Sequence, residues 1–132
     1  MKAPKLVWKD SSGKKRELEL KPGSIYVIGR EPEGFDIYLY RIDEKWGTLE
    51  KKNLNVQDAL VSRYDPKIGK FGSATIEVDE TGGAYIRTSL NSKNPVEVNG
   101  KPIEQLPGYQ LKGLKARKGL SFRVGYTDFN IE

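Results

Sequence analysis

Three observations in the sequence predict an all-β chain folded as an antiparallel sandwich or barrel. Apolar and polar residues alternate over short segments, turn-forming residues separate those segments at near-regular spacing, and the one stretch with helical apolar spacing holds poor helix formers. Leu6 and Trp8 bracket Val7 in a first strand, Asp10-Ser11-Ser12-Gly13 turns the chain, and Leu18 and Leu20 alternate with Glu17 and Glu19 in a second. This pattern is a hairpin. Lys21-Pro22-Gly23 supplies the next turn, and the apolar run Ile25–Ile28 leads into Gly29-Arg30. Further strands are expected at Asp36–Arg41, Asn55–Gln57, Ala74–Val78, Ala84–Thr88, Val96–Val98, Leu120–Val124 and Phe129–Ile131. Turns fall at Asp79–Gly83, Asn91–Pro95, Asn99–Pro102 and Gly125–Asp128. Between Trp46 and Leu60 the apolar spacing would allow a short helix, but Gly47, Asn53 and Asn55 disfavour it.

With 132 residues, 36% of them hydrophobic and 31% charged, the chain suits one domain over 1–132 with a substantial buried core. No linker, repeat or low-complexity tract divides it. Cysteine and histidine are both absent. Their absence excludes disulfides, thiol nucleophiles, Ser-His-Asp triads and zinc sites built on Cys or His. The formal net charge of +5 favours polyanionic or phosphorylated partners, although 23 Lys+Arg against 18 Asp+Glu is also an ordinary mixed surface. The first residues lack the apolar run of a secretory signal, and no segment is long enough for a membrane-spanning helix, so a cytoplasmic location with no membrane partner is expected.

Four pieces, taken in chain order, carry a more specific signal. Strand Ile25–Arg30 ends in YVIGR, Asn55–Arg63 reads NVQDALVSR, Ser92–Gly100 reads SKNPVEVNG and Gly119–Gly125 reads GLSFRVG. Together they resemble the Gly-Arg step, the Ser-Arg loop, the asparagine loop with its Val-Asn-Gly hairpin, and the penultimate strand of the forkhead-associated (FHA) domain family. The match runs from about Lys5 to Ile131. The resemblance implies a β-sandwich of about eleven strands whose end loops bind phosphothreonine segments of other proteins, in a module that is not an enzyme.

A phosphothreonine carries about −1.5 to −2 charge and three acceptor oxygens, so its recognition calls for guanidinium, hydroxyl and amide donors. Arg30, Ser62, Arg63, Lys93 and Asn94 supply that set on three loops. By the resemblance, Arg30 and Ser62 would hold the phosphate, Arg63 and Lys93 would add positive potential, and Asn94 would fix the ligand main chain. Each also has an ordinary alternative. Arg30 can pair with Glu31 or Glu33, Ser62 can bond its own turn, Arg63 and Lys93 can be solvated, and Asn94-Pro95 is a common turn opener. Asn99-Gly100 suits a type I′ turn and is assigned a structural role.

The departures from the family are also specific. No histidine follows the Ser-Arg pair; Ser73-Ala74-Thr75-Ile76 is instead similar to the family's His-Ala-x-Ile, where the histidine braces the binding loops. Loop insertions are expected near 31–52, containing Trp46, and near 65–72. Pro95 and Val96 stand where the family usually has Gly-Thr. A divergent FHA-like scaffold that binds its partner without phosphate, through the loop around Trp46, is therefore the alternative.

Other chemistry is poorly supported. Ser11-Ser12-Gly13-Lys14 matches a Ser-x-x-Lys pattern but lies in a turn, and Gly108–Lys115 lacks the Gly-Lys-Ser/Thr step of a phosphate loop. Asp36, Asp43 and Glu44 are spaced acids on a lysine-rich surface. No metal or cofactor is implied. Lys112, Lys115, Arg117 and Lys118, with Tyr109 nearby, would suit a nucleic-acid strand, but a lysine-rich loop between strands is the preferred reading.

Overall fold

The computed structural model describes residues 3–132. Alternation along the strands sorts apolar side chains inward and builds two six-stranded antiparallel sheets packed face to face. In the first sheet β1 (Lys5–Lys9) lies between β2 (Lys15–Glu19) and β14 (Thr127–Ile131). The sheet continues through β13 (Ser121–Val124) to the two-residue strands β10 (Glu97–Val98) and β11 (Lys101–Pro102). The second sheet runs β12 (Leu114–Ala116), β9 (Ala84–Thr88), β8 (Ala74–Val78), β3 (Ile25–Arg30), β4 (Asp36–Ile42) and β5 (Thr48–Gln57). This is the sandwich alternative of the two that the pattern allowed. Among the described residues no helix is long and apolar enough to cross a membrane.

The core between the sheets centres on Leu6, Trp8, Ile28, Ile76, Ile86 and Phe129. The Phe122 and Phe129 rings stack at 5.5 Å, and Trp8 lies 6.3 Å from Phe129. Trp8 also uses its polar handle: Nε1 donates to the Leu54 carbonyl at 2.8 Å, so a buried bond ties β1 of one sheet to β5 of the other.

Three hairpins share one turn. In each, an aspartate accepts backbone N–H groups two and four residues on: Asp10 from Ser12 and Lys14, Asp43 from Lys45 and Gly47, Asp79 from Thr81 and Gly83. The residue three after the aspartate takes a positive φ in every case. Gly13 and Gly82 fill it twice, and Trp46 fills it at φ 65°.

The two expected insertions contain strands. Residues 31–52, expected as an insertion around a strand at Asp36–Arg41, hold that strand as β4 and also the first half of β5, joined by the Trp46 turn. The alternative helix between Trp46 and Leu60 is the strand β5, which pairs with β4 across two irregularities in register. Its outer half, Thr48–Lys52, is exposed on both faces, so side-chain alternation carries no strand signal there. Residues 65–72 form a small hairpin, β6 (Tyr64–Asp65) and β7 (Lys70–Phe71), around a single 3-10 turn. Fourteen strands form among the described residues, and β6, β7, β11 and β12 are those outside the expected segments. Strand β12 was not anticipated; it pairs with β9 inside what reads as a lysine-rich loop.

The β6–β7 hairpin covers the outer face of the second sheet. Its Tyr64 forms a second apolar cluster with Val27, Tyr40 and Ile42 of the sheet, with Trp46 packed against it.

Replacing Trp8 by Phe removes the bond between the sheets and strands the Leu54 carbonyl. We expect a loss of about 2 kcal/mol in urea unfolding, with little change in the far-UV spectrum. A loss below about 0.5 kcal/mol would show that the bond contributes nothing net.

Candidate functional site

The loops at one end of the sandwich meet in a cleft of about 190 Å³. Arg30, Ser62, Arg63, Lys93 and Asn94, the five residues nominated from sequence, all line it. Lys70 joins them from the β6–β7 hairpin, and among the described residues no carboxylate lines the cleft.

The local folding of this end begins at Asp58, which is buried. Its carboxylate accepts from the Leu60 N–H at 3.0 Å, the Tyr126 N–H at 2.7 Å and the Thr127 hydroxyl at 2.9 Å. The loop after β5 is thereby sewn to the β13–β14 turn. From there Val61 turns its carbonyl to the Arg30 Nε at 3.0 Å, and Ser62 accepts the Arg30 backbone N–H at 2.9 Å. The buried Ser73 hydroxyl accepts from the Ser62 N–H at 2.7 Å. The serine that sequence similarity set in place of the family's bracing histidine thus does hold the loop.

The arginines are fixed without being neutralised. Arg30 donates through Nη1 to the Gly34 carbonyl at 3.3 Å and lies 5.3 Å from the Phe35 ring centre. Arg63 donates through Nη1 to the carbonyls of Glu31 and Pro32, at 3.0 Å for Glu31. Neither pairs with a carboxylate among the described residues, so the expected alternative of Arg30 bonded to Glu31 or Glu33 is not what forms. Burial, and after it the Arg63 charge, pull the Arg30 guanidinium below its ordinary value, while Asp58 acts the other way. The Arg30 guanidinium stays charged at neutral pH.

The second loop is joined to the first by hydroxyls. The Ser62 and Ser92 oxygens lie 3.3 Å apart, Lys93 N–H donates to Ser62 Oγ at 3.3 Å, and Ser92 donates to the Asn94 carbonyl at 2.8 Å. Asn94 Nδ2 donates to the Leu60 carbonyl at 3.0 Å, which leaves Oδ1 as its free group. Lys93 is exposed. Sequence reasoning missed Ser92 and Lys70. The first was visible as a hydroxyl beside Lys93, whereas the second lay in a segment expected to be a loose insert.

The Gly29-Arg30 step has a steric cause. A Cβ on Gly29 would sit 2.7 Å from Tyr64 Cβ, and one on Gly72 would sit 2.5 Å from Val27 Cγ1 and 2.8 Å from the Ile28 carbonyl. The paired glycines let the β6–β7 hairpin lie directly on β3, which brings Lys70 and Phe71 to the cleft beside Arg30.

No family model matches the chain, and no curated protein matches it in sequence. Among solved structures, the crystal structure of the FHA domain of the CT664 protein from Chlamydia trachomatis is similar, with 19% identity, a TM-score of 0.53, and coverage of 96% of this chain and 95% of that one. The fold is FHA-like. At this identity the likeness establishes the arrangement of the two sheets, and the FHA-like sandwich carries its candidate cleft on loops at one end.

Elsewhere the chemistry considered from sequence is dispersed. Ser11–Lys14 sits in the β1–β2 turn, and Asp43 is occupied by its own turn amides. Lys112 lies over the Tyr85 ring at 5.7 Å, Lys115 is on β12, and Tyr109 packs against the main core.

Ser73→Ala leaves the Ser62 N–H without its buried acceptor, and the expected cost is about 1–3 kcal/mol. Hydrogen exchange at the Ser62 amide should accelerate while the β1 and β14 amides keep their order of protection. Unchanged exchange at Ser62 would remove Ser73 from its bracing role.

Proposed function

We propose that this chain is a protein-interaction module whose cleft binds phosphothreonine segments of a partner, and that it is not an enzyme. The observation that carries the reading is charge held without counter-charge: among the described residues, Arg30, Arg63, Lys70 and Lys93 border one cleft with a serine hydroxyl and no carboxylate. A phosphate dianion bound there would replace the mutual repulsion of the arginines by charge-assisted bonds. Arg30 would donate its free guanidinium N–H groups, Ser62 its hydroxyl, and Arg63 and Lys93 would add potential. Asn94 would accept a ligand main-chain N–H through Oδ1.

Ala59, Leu60 and Val61 also line the cleft. A threonine methyl against them would gain about 0.8 kcal/mol over serine, roughly fourfold in affinity. The reading treats 1–132 as one unit acting in the cytoplasm, with no nucleic acid, membrane or cofactor involved.

The test is titration with a degenerate phosphothreonine peptide library beside its unphosphorylated twin. Phosphate-dependent, saturable binding is expected, and Arg30→Ala should weaken it about a hundredfold. If neither pool binds, or the variant binds as well as the parent, phosphate is not the ligand. The β4–β5 hairpin around Trp46 would then be the surface to examine for a phosphate-independent partner.

A further inference from the structure

The β6–β7 hairpin is held in place at a conformational cost. Of the three aspartate turns, two put glycine at the position of positive φ, and the third puts Trp46 there. A bulky side chain in the left-handed region is strained, and such strain persists where the surroundings fix it. Here the surroundings are the hairpin itself. The Trp46 ring lies 4.5 Å from the Phe71 ring and 6.5 Å from Tyr64, and the Tyr64 hydroxyl donates to the Trp46 carbonyl at 2.6 Å. The Tyr64 ring lies 4.4 Å from Tyr40 on the sheet. Trp46 is thus a clasp that presses the hairpin onto the sheet, and the residue beside Phe71 on that hairpin is Lys70.

Lys70 lines the cleft with Arg30, Arg63 and Lys93. Asp65 lies opposite it in the ladder, yet none of these four cations makes an ion pair among the described residues. Four positive charges face a ligand group that brings at most about two negative ones. The excess sits on a separate element from the loops that would grip the phosphate.

We propose, resting on the phosphothreonine reading, that Lys70 is a specificity-determining residue that takes a second anionic group of the ligand next to the phosphothreonine, and that Trp46 is its positioning residue. The second group is a carboxylate side chain or a second phosphate. The partner segment is therefore acidic around its phosphorylated threonine rather than neutral or basic.

The test uses the full chain and a set of phosphothreonine peptides with neutral flanks, in which a single glutamate, or a single phosphoserine, is walked through the neighbouring positions. At one position the added charge should raise affinity about fivefold or more, and the relative gains from glutamate and phosphoserine tell the two sources apart. The gain should vanish in Lys70→Ala and persist in Lys67→Ala, which removes a lysine of the same hairpin that does not line the cleft. Trp46→Gly supplies the residue that the other two turns use. It should keep the fold and the neutral-flank affinity, lose the gain, and speed hydrogen exchange over 65–71. A flat response to the walked charge, or a gain that survives Lys70→Ala, overturns the proposal while leaving the phosphothreonine reading intact. Tighter binding of a single-stranded oligonucleotide than of the acidic peptides also overturns it. Failure of every phosphopeptide to bind removes the phosphothreonine reading first, and this one with it.

Discussion

The buried carboxylate of Asp58 is the constraint on which this end of the molecule depends. An ionised group out of water must be met by donors, because leaving it unpaired costs several kcal/mol. Asp58 collects them from its own loop at Leu60 and from Tyr126 and Thr127, 68 and 69 residues further on. The three bonds tie the loop after β5 to the β13–β14 turn. Gly125 is part of the same requirement, since a Cβ there would stand 2.7 Å from an Asp58 oxygen. Once the loop is set, the Val61 carbonyl is aimed at Arg30 and the Ser62 amide at Ser73. The geometry of the cleft is thus inherited from a bond network beneath it.

A second constraint acts from outside. Strand β3 is buried on both faces, with Tyr26 and Ile28 turned to the main core and Val27 to the outer cluster. Such a strand reads as a continuous apolar run rather than an alternation, as Ile25–Ile28 does. The outer cover is the β6–β7 hairpin, admitted by Gly29 and Gly72 and held by Trp46. Local preference and global packing disagree at Trp46, and packing wins. Natural sequences tend to keep such disagreements for places where position matters more than stability.

How far the sequence discloses this follows from the same physics. Strands with one solvated face, such as β13 and β14, announce themselves by alternation, and the aspartate turns by their Asp and Gly spacing. The cleft residues were legible only through similarity to a family, because Arg30, Ser62 and Lys93 are far apart in the chain and nothing local marks them as neighbours. Strand β5 was half hidden, since Glu50-Lys51-Lys52 is exposed on both faces and looks like loop. The β6–β7 hairpin was hidden altogether. Its two-residue strands carry no period, and its purpose is visible only once the outward Tyr40 and Ile42 are seen to need a cover. With it went Lys70. Asn94 was legible as a residue but not in its bonding, because an amide offers both a donor and an acceptor and the Leu60 carbonyl takes the donor.

The manner in which the arginines are held bears on what the cleft can bind. A guanidinium can be fixed by a carboxylate, which neutralises it, or by carbonyl oxygens, which orient it and leave its charge in place. Arg30 and Arg63 are both held by carbonyls, from Val61, Gly34, Glu31 and Pro32. The two bonded chains are also adjacent, with Arg30 and Arg63 paired in a parallel bridge. Two like charges fixed side by side raise the energy of the empty cleft, and an anion that bridges them recovers that energy on binding. Orientation without neutralisation is also what pre-organisation for the proposed phosphate would require, since forks already ordered lose less freedom on binding. The Val61 carbonyl that orients Arg30 belongs to the loop that the buried Asp58 holds still, so the guanidinium takes its direction from the core.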